Sequence, residues 1–114
     1  MKLPEDTSFS PEKLSQYLLV FKKRNDKSQW LNKAGYSSEN WQMLRNDLRK
    51  QILPIEALLI EETEFGQLYE IRGKLTGPNG IQLSVYTIWI IEAETGVSRF
   101  VTMYPNKKEP TNDV

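Results

Sequence analysis

The spacing of apolar residues changes at Pro54, and that change limits the possible folds more than any other feature. Before it, Leu14, Tyr17, Leu18 and Phe21 recur at helical spacing, as do Trp41, Leu44, Leu48 and Ile52. After it, the pattern alternates as half-buried strands do, with expected strands at 57–62, 67–76, 83–92 and 99–104. Punctuation agrees with the periods. Ser10-Pro11 is a helix start, since proline at the first helical position lacks an N–H that would be unsatisfied anyway. Lys27 to Ala34 reads as a short helix closed by Gly35, and Ser37 or Ser38 caps a third that ends at Pro54. Gly77-Pro78-Asn79-Gly80 is a strong hairpin signal, and Thr95-Gly96 closes the last turn. The expected fold is α+β, with N-terminal helices packed on a four-stranded antiparallel meander. One domain over 1–105 is expected, followed by a disordered tail from Asn106.

The chemistry available is narrow. The chain has no cysteine and no histidine, so disulfides, zinc ribbons, thiol catalysis and the commonest general base are excluded. Lys, Arg, Tyr, Thr, Asp and Glu remain. No metal site or cofactor is expected, because Glu61, Glu62 and Glu64 read as a solvated edge run. The opening residues lack an apolar leader and no apolar run suits a membrane span, so the expected location is the cytoplasm. Charge is uneven although the net is zero: residues 1–54 hold ten Lys or Arg against six Asp or Glu, and residues 55–114 hold five against nine.

On the second strand, Tyr69, Ile71, Gly73 and Leu75 alternate with Glu70, Arg72 and Lys74, and the apolar set is expected to meet the helices. The third strand is apolar on both sides, as a central strand would be. An open sheet face carrying Arg72, Lys74, Thr87 and Trp89, with Thr102 and Tyr104, would have cations for phosphate, hydroxyl donors and an aromatic for a base. The competing reading makes Arg72 and Glu70 a surface ion pair and the aromatics core. Lys27 stands at a helix start, where a cation opposes the helix dipole, a local inconsistency of the kind that marks some sites. Asp47 reads as a helix-surface charge. Arg99 alternates away from Thr102, so the two share a face only if the last strand bulges.

The motifs YEIRGKLTGPNG at 69–80, TIWII at 87–91 and RFVTMYP at 99–105, preceded by a K-x7-G-Y segment at 27–36, resemble those of a family of small uncharacterised bacterial domains. Such domains look like halves of toxin–antitoxin pairs or C-terminal modules of polymorphic toxins. Their layout is similar to that of the barnase, EndoU, colicin and RelE ribonucleases, some of which cleave RNA without histidine. The family likeness carries no function of its own, but by analogy of layout the first reading is a metal-independent ribonuclease: catalytic Lys27 as base, Arg72 on phosphate and Thr102 and Tyr104 as hydrogen-bond donors or proton carriers, with Arg99, Thr87 and Trp89 binding substrate. In one departure, the position after GPNG, often arginine in the family, is Ile81. The partners implied are RNA and a small antitoxin or immunity protein. The alternative is a non-catalytic domain that binds a protein partner or a second copy of itself.

Overall fold

The computed structural model describes residues 1–19 and 27–106. The helices come first and the sheet second, as the periods dictate. An opening helical segment at Lys13–Leu18 winds as a wide π turn, Leu19 N–H donating to Leu14 O at 3.2 Å. Helix α1 spans Ser28–Asn32, and a 3-10 turn at Ser38–Asn40 leads into α2 at Trp41–Asp47, which continues as π turns at Leu48–Ile52. Pro11 begins the first helix, with Ser10 O accepting from Leu14 N–H, but the Ser10 hydroxyl turns to the Glu12 carboxylate instead of capping the backbone. Ser37 does take part in a capping box, its N–H donating to Asn40 Oδ1 at 2.7 Å. Leu14, Leu18, Leu44, Leu48 and Ile52 are buried as expected, whereas Phe21, the connection 22–26, the Tyr17 side chain and the tail beyond Asn106 lie outside the described residues.

Strands β1 (Leu58–Thr63), β2 (Gly66–Thr76), β3 (Gln82–Glu92) and β4 (Ser98–Pro105) form an antiparallel sheet in the order β1-β2-β3-β4. The β2–β3 pairing runs without a break from Gly66↔Glu92 to Thr76↔Gln82. Both outer pairings carry an extra residue, Ile60 in β1 and Val101 in β4. The helices cover the face bearing Tyr69, Ile71, Leu75, Val85, Trp89, Phe100 and Met103. On that side Phe9, Trp89 and Phe100 pack with ring centroids 5.2–5.5 Å apart. The N-terminal segment also closes an edge: Ser8 N–H donates to Ser98 O, and Phe100 N–H donates to Ser8 O, both at 2.9 Å. Among the described residues no helix is long and apolar enough to cross a membrane.

The GPNG turn is bound to the helices. Asn79 Nδ2 donates to Lys33 O at 2.8 Å, and Gly77 lies so close to α1's exit that an added Cβ would stand 2.0 Å from Ala34 O. Gly80, with φ of 89°, has open space around it. Gly77→Ala should therefore destabilise by about 2–4 kcal/mol through backbone displacement, and Gly80→Ala by only about 1 kcal/mol through its positive φ. Urea unfolding of both variants checks the order, and equal losses would contradict it.

Tyr36 is fully buried beneath this turn and donates to Asp47 Oδ2 at 2.6 Å. Asp47 is thus the acceptor for a core phenol rather than a simple surface charge. Burial, then the Asp47 hydrogen bond and charge, push the Tyr36 phenol far above the ordinary tyrosine range. A raised folded-state pKa favours the protonated form, so its contribution is complete below about pH 10 and is lost as pH rises beyond that. Stability should fall above about pH 10, and more shallowly in Tyr36→Phe. Denaturation at stepped alkaline pH measures both slopes.

Candidate functional site

The unbroken β2–β3 register decides which side chains share the outer face. Arg72 pairs with Tyr86, and Tyr86 pairs with Tyr104 on its other side, forming one row across three strands. The next row is Glu70, Ile88 and Thr102. Side chains in a row stand about one strand spacing apart, so Arg72 and Tyr104 are separated by about 10 Å at the backbone.

Lys27 reaches this face from the start of α1. Its Nζ donates to Thr102 Oγ1 at 3.0 Å and lies 4.7 Å from the centre of the Tyr104 ring. This tertiary contact accounts for a cation at a helix start. Tyr104 stacks on Tyr86 with centroids 5.4 Å apart and planes inclined by 30°, and the Arg72 guanidinium lies 5.0 Å from the Tyr86 ring centre. The result is a continuous sequence of cation, ring, ring and cation. Glu70, 8% exposed, anchors the Arg72 end: it accepts from Arg72 Nε at 2.7 Å and from the Tyr86 hydroxyl at 3.3 Å. The Tyr86 phenol is pushed up by burial first, then by the Glu70 charge and hydrogen bond, with Arg72 opposing, so it remains a proton donor. Nearby, Lys74 Nζ donates to Ser84 Oγ at 3.0 Å. A cleft of about 290 Å³ borders the Arg72 end, lined by Glu56, Leu58, Glu70 and Arg72.

Four of the residues singled out from the sequence, Lys27, Arg72, Thr102 and Tyr104, thus meet on one face. Thr87 and Trp89 do not join them. Both are fully buried on the helix side, where Trp89 Nε1 donates to Thr87 Oγ1 and the Thr87 hydroxyl donates to Ile71 O, each at 2.8 Å. The open-face placement expected for Thr87 and Trp89 is corrected by the register Ile71↔Thr87 and Tyr69↔Trp89. Arg99 does share the outer face, because the extra residue Val101 shifts the alternation between Phe100 and Thr102. Lys13 Nζ satisfies the carbonyl of Val101 at 3.0 Å. Arg99 nonetheless serves another locality, 2.5 Å from Glu92 Oε2 in a cleft that also holds Glu64 and Glu94. An acidic lining is poorly suited to phosphate.

Tyr86 and Glu70 are the site members that sequence reasoning missed. The available signal was the GPNG loop: pairing Thr76 with Gln82 across it places Tyr86 opposite Arg72.

The sequence profile of the family described as Domain of unknown function (DUF6883) matches residues 2–107. The chain belongs to that family. No curated protein and no solved structure matches the chain significantly. The DUF6883 match covers all four strands and Lys27, so the whole outer-face row lies within the family's domain.

The buried Thr87–Trp89 pair supplies a structural control for this site. Thr87→Val removes the indole's acceptor and should cost about 1–3 kcal/mol in chemical unfolding. It should leave ligand binding per folded molecule unchanged. A functional loss without a stability loss would contradict this assignment.

Proposed function

We propose that the outer sheet face binds single-stranded RNA and cleaves it without a metal, as a ribonuclease-like toxin of toxin–antitoxin or polymorphic-toxin type. The observation that carries this reading is the connected row of Lys27, Thr102, Tyr104, Tyr86 and Arg72, with Glu70 at its end. Cleavage by the adjacent 2′-hydroxyl needs three things: a group to take its proton, positive charge beside the phosphorane, and a donor to the departing 5′-oxygen. Arg72 and Lys27 supply charge at the two ends, and Arg72 engages Glu70 through Nε while its terminal nitrogens retain donors for an anion. Glu70 is the carboxylate placed to accept a proton, and the Thr102 and Tyr104 hydroxyls are donors. The tyrosine faces are occupied by each other and by the two cations, so recognition is led by phosphate rather than by base stacking.

The alternative, a non-catalytic partner-binding or self-associating domain, is favoured by a different surface, the exposed strand β1. The two readings use different residues and are separable.

Total RNA incubated with the protein in EDTA should be cleaved, and expression from a repressed promoter should arrest growth on induction. Arg72→Ala and Tyr104→Phe should each lower cleavage by roughly 100-fold at equal folding stability. With a short single-stranded oligonucleotide, Lys27→Ala and Arg72→Ala should each reduce the slope of log affinity against log salt by about 0.7. Intact RNA, normal growth and unchanged salt slopes would remove the ribonuclease reading.

A further inference from the structure

We infer that the outer edge of β1 is a docking strand for an extended, basic segment of a partner protein. This goes beyond the RNA reading and uses none of its residues. The two edges of the sheet are treated differently. At β4 the chain covers the first half of its own edge, with the Ser8 bridge to Ser98 and Phe100 and with Lys13 on Val101 O. At β1 the cover stops at Ala57, whose N–H donates to Met1 O at 2.7 Å. From Leu58 onward no described residue pairs with the outer edge. Leu58 is 59% exposed, Leu59 51%, Ile60 42% and Phe65, in the following turn, 73%. An uncovered edge with consecutive exposed apolar residues is a template for strand addition, which proteins that do not use it block with lysine or other charges, proline or a bulge. Lysine and proline are absent from β1, and its bulge at Ile60 and its two glutamates leave Leu58, Leu59 and Ile60 exposed.

Charge identifies the occupant. Between Lys50 and Arg72 the chain has no basic residue and five glutamates. The bulge at Ile60 keeps Leu58 and Glu61 on the outer face, opposite Glu70 and Leu68, and leaves Leu59 and Glu62 on the other face, opposite Tyr69 and Gln67. Each face of the edge therefore offers one leucine followed by one glutamate. A complementary strand carries two adjacent apolar residues, which meet the leucines, and two adjacent basic residues, which meet the glutamates. A second copy fits poorly: full antiparallel overlap of 58–63 with itself sets Leu59 opposite Glu62 and Ile60 opposite Glu61. Both copies would then bury carboxylates against apolar side chains without a cation.

The test uses the full chain and two fluorescently labelled peptides. Each carries two adjacent valines directly next to two adjacent lysines or two adjacent glutamates, so that period-two alternation puts one valine and one charge on each face. The lysine peptide should bind wild type roughly tenfold more tightly than the glutamate peptide, and slow exchange of the β1 amides. The double substitution Glu61→Lys with Glu62→Lys, at exposed positions, should reverse that preference. Failure of both peptides to bind, equal affinities, or a preference unmoved by the double substitution would overturn the inference. So would sedimentation showing a wild-type dimer that Leu59→Lys dissociates.

Discussion

The uninterrupted register between β2 and β3 is the constraint on which the rest of the structure depends. Eleven consecutive pairs fix which side of each strand meets the helices, because a slip of one residue would exchange the two faces. Trp89 and Thr87 go inward with Tyr69 and Ile71, and Tyr86 goes outward with Arg72. The core and the candidate site are consequences of the same pairing. The hairpin that starts this register is held by Gly77 against Ala34 and by Asn79 on Lys33, so the helical half of the chain helps set it.

The outer strands depart from strict alternation, and each departure has a consequence. At β4 the extra residue Val101 allows Phe100 to enter the aromatic core while Thr102 and Tyr104 face outward beside Lys27. An unbulged strand would place all three on one face, burying the hydroxyls or exposing the phenylalanine. At β1 the extra residue Ile60 leaves a leucine and a glutamate on each side of an uncovered edge. The cation and tyrosine row thus occupies the middle of the outer face across β2, β3 and β4, an acidic cleft around Glu92 and Arg99 lies toward one end of that face, and β1 carries exposed apolar residues and glutamates.

Much of the fold was legible in the sequence because it rests on local signals. The change of period at Pro54 and the GPNG turn gave the four strands and their meander order within a residue, and the helical half N-terminal to them, while the end expected for the first helix falls outside the described residues. What was not legible depends on register and long-range contact. β3 is apolar on both sides, so composition could not say which side held Trp89. The placement of Arg99 on the face of Thr102 turns on a single bulge that Lys13, distant in sequence, helps satisfy. Asp47 reads as a surface charge until Tyr36 is placed beneath it. The strand at 57–62 was legible, but the exposure of Leu58, Leu59 and Ile60 was not, because it follows from β1 standing last in the sheet order.

The most direct test of the account is amide and side-chain chemical-shift mapping on the full chain as a short single-stranded RNA is added. The account predicts shifts concentrated on Lys27, Arg72, Tyr86, Thr102 and Tyr104, with β1 and the acidic cleft around Glu92 and Arg99 unaffected. Shifts centred on those other regions, or none at RNA concentrations that saturate ordinary single-strand binders, would contradict it.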